Sequence, residues 1–168
     1  MRTPAEYYDE QYGNIRQKFQ VKEPVLDVGG GKGYFLQWLG IKEAIIIDKN
    51  PETLAGYKKM VADMNNPFEI DGRTFKTVFC MECLEHLRFP LVAFKMLYCF
   101  LDYDGICYIS VPHTPLNDMH LNHWTLNELT RMAHEVGFTK IKLLVARNTI
   151  KRRLIGRPHC FIVMELRK

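Results

Sequence analysis

A glycine-rich segment stands between a short apolar run and a helical pattern near the start of the chain. Residues 25–28 read VLDV, residues 29–33 read GGGKG, and the apolar side chains of residues 34–39 then follow with the spacing of one helix face. A strand that passes through a glycine loop into a helix is the usual place for a nucleotide-like ligand in α/β proteins. Glycine suits this position because a side chain would keep the ligand away from the backbone.

Strand and helix patterns alternate along the rest of the chain. Apolar runs predict strands at residues 44–47, 59–62, 75–81 and 106–111, and helical patterns cover residues 34–39, 90–101 and 126–137. Pro51 favours the first turn of a further short helix, and Thr125 with Glu128 has the spacing of a capping box. Two last strands, at 140–146 and 160–166, predict a hairpin.

This alternation predicts a parallel sheet with helices on both faces. We expect a Rossmann-like α/β fold with a doubly wound, mostly parallel seven-stranded sheet, an antiparallel strand in the C-terminal hairpin, and three layers α/β/α. The 168 residues fit one domain. Residues 1–23 are expected to form an N-terminal helical arm, and residues 24–168 form the core.

The composition excludes several classes of protein. With 47% hydrophobic and 25% charged residues, the chain is neither a disordered tail, a collagen-like rod nor a coiled coil. No apolar run approaches the roughly 20 residues of a membrane span, and residues 1–10 lack the apolar core of a signal peptide. Five cysteines, an odd number, favour a reduced protein, and we expect a cytoplasmic location.

The glycine loop does not match two phosphate-binding patterns. Tyr34 stands where G-x-G-x-x-G requires its last glycine, and Gly33 stands where a P-loop requires Ser or Thr. Asp27 just before the loop also disfavours a phosphate. The loop therefore favours a ligand that carries a positive charge.

Two more acids follow predicted strands. Asp48 ends the second strand, where a carboxylate can accept hydrogen bonds from both hydroxyls of a ribose. Asp63 ends the third strand and is placed to face an adenine amino group. With the glycine loop, these acids predict a site for a nucleoside that carries an amino-acid-like cation, and S-adenosylmethionine is one such cofactor.

Several segments, in order, resemble class I S-adenosylmethionine-dependent methyltransferases of the small-molecule, type 11 or 23-like, branch. The similar segments are VLDVGGGKG at 25–33, IDKNP at 47–51, VADM at 61–64, CMECLEHL at 80–87, HLNHW at 120–124 and VGF at 136–138. Two features depart from the family: Lys76 replaces the usual aspartate after Phe75, and the connection from Asp48 to Asp63 is short.

The resemblance implies one methyltransferase domain that binds S-adenosylmethionine and releases S-adenosylhomocysteine. The cofactor-binding residues it implies are Asp27, Gly29, Gly30, Gly31, Gly33, Asp48, Lys49, Asp63, Met64, Cys80 and Met81. Tyr7, Tyr8 and Tyr12 could cover the cofactor as a lid or pack the first helix onto the sheet.

Four histidines follow the fourth and fifth strands, at the rim where parallel sheets bind ligands. His86 and His123, each in a family-like motif, are the candidates for a general base that deprotonates an acceptor hydroxyl. A metal at His113, His120 and His123 is the alternative, but no acid can be placed with them, so no metal is expected. Glu82 and Glu85 could orient a histidine or substrate, or could begin a solvated helix. The Cys80-x-x-Cys83 pair lacks a second pair for zinc, which favours ordinary buried cysteines.

The charge is uneven along the chain. From Lys140 to Lys168 there are nine basic residues and one acid, a net charge of +8, whereas residues 1–139 carry −4. The loop after the sixth strand is expected on the cofactor side of the sheet, so we predict that it binds an anionic, for example phosphorylated, acceptor. The residues concerned are Arg147, Lys151, Arg152, Arg153 and Arg157. A solvated hairpin is the alternative.

The motifs of enzymes that methylate nucleobases are absent from the sequence, which favours a hydroxyl acceptor. The fourth strand lacks the Asn/Asp-Pro-Pro-aromatic turn, and no Pro-Cys pair is present to attack cytosine. Little chain remains to cap a substrate, so a large acceptor, a homodimer or a partner subunit is expected to complete the pocket. A nucleic-acid-binding or partner-stabilising module with weak or no catalysis stays the alternative, although aromatic residues near the basic segment are few.

Overall fold

A seven-stranded sheet organises the protein in the computed structural model, which describes residues 2–112, 119–147 and 160–168. The strands are β1 (Val25–Val28), β2 (Ile45–Asp48), β3 (Lys58–Val61), β4 (Phe75–Met81), β5 (Leu101–Pro112), β6 (Lys140–Arg147) and β7 (Cys160–Arg167). Their order is β3-β2-β1-β4-β5-β7-β6. Strands β1 to β5 are parallel, and β7 is antiparallel to both β5 and β6. The predicted fold is confirmed, and β6 runs in the direction of the first five strands as expected.

Helices cover both faces of the sheet. The α-helices are α1 (Pro4–Tyr12), α2 (Tyr34–Leu39), α3 (Pro90–Phe100) and α4 (Leu126–Val136), and single 3₁₀ segments lie at Gly13–Lys18 and Leu84–His86. Buried residues of α1 and α2 share one core cluster, and those of α3 and α4 share the other. None of the helices described is both long and apolar enough to cross a membrane.

An aromatic cluster joins the N-terminal arm to the sheet. Tyr12 is fully buried, and its ring lies 6.0 Å from that of Phe35, which in turn lies 5.2 Å from Phe79 of β4. Tyr8 contacts Phe35 and Trp38 of α2. Of the two alternatives for these tyrosines, packing of the first helix onto the sheet is confirmed for Tyr12, whose ring also lies 5.6 Å from that of Phe161 in β7, whereas Tyr8 packs onto α2.

Capping boxes fix the starts of α1 and α4. The hydroxyl of Thr125 accepts a hydrogen bond from the Glu128 amide at 3.3 Å, and the Glu128 carboxylate accepts one from the Thr125 amide at 2.8 Å. Thr3 and Glu6 form the same arrangement in α1. The predicted capping box is confirmed, and Gly137, with φ of +118°, ends α4 as predicted.

The helix expected after Pro51 is absent: residues 51–57 are irregular. A hydrogen bond and an ion pair hold this segment against the glycine loop instead. The Leu54 amide donates to the Lys32 carbonyl at 2.9 Å, and the Glu52 carboxylate pairs with the Lys32 ammonium at 2.5 Å. The short connection noted in the sequence therefore crosses directly from β2 to β3.

Lys76, the departure from the family pattern, lies at the amino end of β4. Its ammonium pairs with Asp102 and Asp104 of β5, where the pairing register between the two strands shifts. Strand β5 begins at Leu101, five residues before the strand predicted at 106–111. The ion pairs join the amino end of β4 to the start of β5, whereas the predicted ligand site lies at the carboxyl ends of the strands.

Candidate functional site

A cavity of about 460 Å³ opens where the strand order reverses, between β1 and β4. Its lining comes from the ends of β1 to β4 and the segments that follow them, together with Met119 and Leu121. The lining residues are Gly29, Asp48, Lys49, Ala62, Asp63, Met64, Asn65, Glu82, Cys83, His86, Leu87, Met119 and Leu121. Ligands of open α/β sheets bind at this reversal point, outside the carboxyl ends of the strands. Its size lies within the usual range for small-molecule sites.

Two larger cavities lie elsewhere. One of about 860 Å³ is lined by the amino ends of strands, including Val25, Ile45 and Phe75, and one of about 780 Å³ lies between residues 67–74 and α3. The smaller cavity is the candidate site because it alone of the three is bordered by the carboxyl ends of β1, β2 and β4.

The glycine loop is shaped by its own neighbours in the protein. A Cβ atom at Gly29 would lie 2.4 Å from Sγ of Cys83, and one at Gly30 would lie 2.3 Å from Oδ2 of Asp27. A Cβ atom at Gly33 would contact the side chains of Ile46 and Tyr57. Of the four loop glycines, only Gly31 has no neighbouring atom within 4 Å of an added Cβ. From the sequence, glycine was expected here because a side chain would keep the ligand away from the backbone. At three of the four glycines, however, side chains of the protein itself leave no room for a Cβ atom.

Asp48 joins the glycine loop to the β2–β3 connection. Its Oδ2 accepts a hydrogen bond from the Gly31 amide at 2.9 Å, and its Oδ1 accepts one from the Asn50 amide at 2.8 Å. A carboxylate has about four acceptor sites, so both oxygens can accept further bonds. Asp48 is half-buried and lines the cavity, which is the position predicted for it.

Asp27 lies beneath the loop and not on the cavity lining. It is 1% exposed, and burial raises the pKa of its carboxyl to about 7, against the opposing effect of Lys59. The Lys59 ammonium reaches across from β3 and donates to the Gly31 carbonyl. The protein itself thus supplies a cation near Asp27, a contribution of Lys59 that the sequence did not reveal.

Asp63 lies in a polar turn that follows β3. Its Oδ1 accepts bonds from the amide and the side chain of Asn65, each at 2.9 Å, as in a polar turn. It also lines the cavity, together with buried Met64. The Asn65 side-chain oxygen in turn accepts bonds from the Arg88 and Phe89 amides, which ties the end of β3 to the turn after β4.

Glu82 is held in the cavity wall by the N-terminal arm. Its Oε2 accepts a hydrogen bond from the Tyr7 hydroxyl at 2.5 Å, and its Oε1 accepts one from the Tyr12 hydroxyl at 2.6 Å. Its φ is +52°, a conformation uncommon for a residue with a side chain and frequent at functional sites. Burial raises the pKa of Glu82, while the two tyrosines oppose that rise.

Cys80 and Met81 take no part in the described lining of the cavity. Cys80 is fully buried in the core, and contact with Cys83 together with burial raises the pKa of its thiol. Met81 faces the aromatic cluster on the other side of the sheet. The next two residues, Glu82 and Cys83, line the cavity instead, because the strand ends at Met81. The expected ordinary buried state of Cys80 and Cys83 is confirmed.

Three histidines cluster at the rim. His86 lines the cavity, and its ring centroid lies 4.9 Å from that of His120, which lies 6.5 Å from that of His123. Burial, with His86 and His123 nearby, lowers the pKa of His120. His123 is exposed, and the described lining does not include it.

Glu85 adds an acid to this cluster. It is 1% exposed, so the solvated helix start proposed for it is wrong, and burial raises its pKa to about 8. Glu85, His86 and His120 offer ligand atoms that all lie within 4.8 Å of one another. The expectation of no metal depended on the lack of an acid beside the histidines, and the structure places one there.

The predicted acceptor-binding residues Lys151, Arg152, Arg153 and Arg157 lie outside the described residues, as do His113 and the side chain of Arg147. Strand β6 ends at Arg147, and β7 begins at its partner Cys160, beside the Phe161–Pro112 pair that marks the end of β5. The end of β6 and the start of β7 thus lie at the edge of the sheet that carries the cavity.

A model of the methyltransferase domain family matches residues 5–143 of the sequence. No match is found among curated protein sequences.

Solved structures share the fold. A SAM-dependent methyltransferase from Thermotoga maritima has a TM-score of 0.73 and 13% identity, over 98% of this chain and 91% of that one. The methyltransferase in a Haloferax volcanii complex with the Trm112 methyltransferase activator gives 0.74 and 14%, over 97% and 92%. A SAM-dependent methyltransferase from Archaeoglobus fulgidus gives 0.72 and 15%, over 97% and 94%. At such low identity the likeness shows the fold.

Proposed function

The chain belongs to the methyltransferase domain family, and from that premise we propose that its single domain transfers a methyl group from S-adenosylmethionine to an acceptor hydroxyl. The acceptor is a small or a glycan- or lipid-linked molecule, and its anionic character is inferred from the basic segment. The observation that carries the proposal is the cavity at the strand reversal, in which Asp48, Asp63 and the glycine loop meet.

The residues around the cavity fit S-adenosylmethionine chemically. Asp48 keeps acceptor sites on both oxygens for the ribose hydroxyls, and Asp63 and Met64 stand at the end of β3 for the adenine. Glu82, half-buried in the wall, offers a carboxylate to the ammonium group of the methionine part. Gly29 of the glycine loop lines the cavity with them.

The bound cofactor supplies an electrophilic methyl group whose departure leaves a neutral thioether. The protein's main contribution is therefore alignment of the acceptor oxygen with that methyl group. A hydroxyl acceptor must also lose its proton, and the rim histidines His86 and His123 are the groups we assign to that end of the site. His86 lies on the cavity wall, and His123 lies further out.

The first test is calorimetric titration of S-adenosylhomocysteine into the wild type and Asp48→Asn. We expect micromolar binding to the wild type. In Asp48→Asn we expect binding at least tenfold weaker, because the amide leaves fewer acceptors for the Gly31 and Asn50 amides and the ribose hydroxyls.

Asp71→Asn is the matched control for this titration. It removes an exposed carboxylate outside the cavity at a residue whose φ of +45° asparagine tolerates. Equal affinity of wild type and Asp48→Asn would contradict the assignment of the site. No binding by the folded wild type would contradict the function.

A nucleic-acid-binding or partner-stabilising module is the second candidate, and the net charge of +8 over residues 140–168 favours it. The Haloferax volcanii relative is bound to an activator protein, which gives this candidate a structural precedent. Nucleic-acid binding predicts an affinity that falls steeply with salt, whereas binding of S-adenosylhomocysteine in a cavity changes little. A salt series with single-stranded RNA and S-adenosylhomocysteine as ligands separates the two.

A further inference from the structure

Three side chains with metal-binding atoms converge beside the candidate site. Glu85 and His86 belong to the 3₁₀ turn after β4, and His120 belongs to the segment that leads toward α4. Their ligand atoms lie within 4.8 Å of one another. In a zinc site with bonds of about 2 Å, neighbouring ligand atoms are separated by about 3.3 Å, so small side-chain rotations close the cluster around an ion.

Backbone hydrogen bonds hold the two segments together. The amides of Leu121 and Asn122 both donate to the Glu85 carbonyl, at 2.8 and 3.1 Å. The Asn122 side chain also donates to the Leu87 carbonyl at 2.6 Å. These three bonds fix His120 next to Glu85 and His86, so the cluster is built by the fold and does not depend on the chance meeting of mobile surface side chains.

Two polar atoms of the cluster are buried without a partner in the described part of the chain. They are Oε2 of Glu85 and Nδ1 of His120. A buried polar atom that makes no hydrogen bond costs roughly 1–3 kcal/mol, so native proteins seldom leave such atoms unpaired. A bound cation would give both atoms a partner.

The third member, His86, is already oriented. Its Nδ1 lies 3.2 Å from the Met119 carbonyl, a group that can only accept, so Nδ1 carries the proton and Nε2 has the free lone pair. A histidine that binds a metal through one nitrogen commonly donates from the other to a backbone carbonyl.

We propose that Glu85, His86 and His120 bind a divalent transition-metal ion of the Zn²⁺ type. Two imidazoles and one carboxylate are a ligand set of catalytic zinc sites, and they leave a fourth position open. Magnesium prefers oxygen ligands and fits poorly. Since His86 also lines the cavity, an ion held by these residues would lie beside the space assigned to the acceptor.

The role of the ion rests on the proposed function. It would bind the acceptor's hydroxyl oxygen and lower the pKa of that hydroxyl. His86 then serves as a metal ligand, and His123, outside the cluster, remains as the base.

The test is titration of metal-stripped protein with Zn²⁺ by calorimetry and with Co²⁺ by visible absorption. We expect one ion per chain with a Kd of micromolar or below, and Mg²⁺ binding at least tenfold weaker. His120→Ala and Glu85→Gln should each weaken Zn²⁺ binding at least tenfold and change the Co²⁺ spectrum.

His134→Ala and Glu135→Gln, on α4 and outside the cluster, are the matched controls and should bind the ion like the wild type. Circular dichroism checks that each variant folds; if Glu85→Gln does not, His120→Ala decides. Absence of Zn²⁺ binding to the folded wild type, tighter Mg²⁺ binding, or unchanged Zn²⁺ affinity in His120→Ala would each overturn the proposal.

Binding of S-adenosylhomocysteine is measured in the same samples without metal. Folded wild-type protein that binds S-adenosylhomocysteine but not Zn²⁺ would contradict the metal site alone. Protein that binds Zn²⁺ but not S-adenosylhomocysteine would contradict the proposed function.

Discussion

Glu82 shows how a single residue links the N-terminal arm to the cavity. Its carboxylate accepts both tyrosine hydroxyls, while its amide donates to the Ser110 hydroxyl at 3.0 Å and lies 3.1 Å from the Ser110 carbonyl. Tyr12 also shares a contact of 3.0 Å with that hydroxyl. These bonds hold Glu82 at a φ that would otherwise be unfavourable.

Removing one hydroxyl tests this network. Tyr12→Phe leaves Oε1 of Glu82 without its buried donor, so we expect the free energy of unfolding to fall by about 1–3 kcal/mol. Tyr103→Phe, at a side chain that is 86% exposed, should change it by less than about 0.5 kcal/mol. Urea unfolding of both variants measures the difference, and equal stability would show that the network adds nothing.

Asp27 predicts a pH dependence of stability. Because burial raises its pKa to about 7, the folded protein keeps a proton that the unfolded chain releases near pH 4. Stability should therefore fall as the pH rises from about 4 to 7. Asp27→Asn cannot ionise, so relative to the wild type it should gain a few kcal/mol between pH 5 and pH 8.

Urea unfolding of both proteins at the two pH values measures this difference in the free energy of unfolding. The other titratable groups are the same in both proteins, so their contributions to the pH dependence cancel. Asp71→Asn, which removes an exposed carboxylate, should show no such gain. A parallel pH dependence of wild type and Asp27→Asn would contradict the assignment.

Sequence patterns located some site residues and missed others for a physical reason. Gly29, Asp48 and Asp63 each follow a strand, and parallel strands end at one edge, so their neighbourhood could be predicted from local periodicity. Tyr7 and Glu82 are 75 residues apart, and His120 meets Glu85 only because the chain folds back onto the Glu85 carbonyl. Such contacts depend on tertiary packing, which no local pattern contains.

At the scale of elements, a segment with several agreeing sequence signals was predicted correctly, and a segment with a single signal was not. Helix α4 has a capping box, buried Leu129 and Ala133 four residues apart, and a terminal glycine, which all indicate one element. Residues 51–57 had only a proline to indicate a helix. Hydrogen bonds to the glycine loop, over a connection too short to pack a helix, decided their conformation.

The two capping boxes allow a paired prediction about α1. Thr3→Ala and Thr125→Ala each remove a cap, so each should lower the free energy of unfolding by about 0.5–2 kcal/mol. Only Thr3→Ala should also weaken binding of S-adenosylhomocysteine, because α1 carries the tyrosines that hold Glu82. Urea unfolding and calorimetry on both variants provide the measurement, and equal affinities would contradict a role of α1 in the site.

At the scale of the whole molecule, the charge is divided between the ends of the sequence. A net −4 over residues 1–139 contrasts with +8 over the last 29 residues. We expect the triple variant Lys151→Gln, Arg152→Gln, Arg153→Gln to lower turnover of phosphorylated acceptors at least tenfold, with little effect on their unphosphorylated forms.

The measurement is formation of S-adenosylhomocysteine from a panel of hydroxyl compounds, each with and without a phosphate. Titration of S-adenosylhomocysteine is the control, since its affinity should match the wild type. Equal loss of acceptor turnover and cofactor binding would refute a specific role of these residues in acceptor binding.

The parallel direction of the first five strands was predictable because the alternation of strand and helix brings the chain back to the same edge of the sheet. The direction of β6 was predicted as well and is confirmed. The two larger cavities away from that edge could not be foreseen, since they arise from how loops happen to pack.

The fit of the glycine loop against Cys83, Asp27, Ile46 and Tyr57 has a consequence for engineering. Because neighbouring side chains leave no room for a Cβ at Gly29, Gly30 and Gly33, a library that varies these three residues would mostly sample misfolded proteins. Met119 and Leu121, which are exposed and line the cavity without an assigned chemical role, accept new side chains far more readily. Directed evolution toward a different acceptor should therefore begin there.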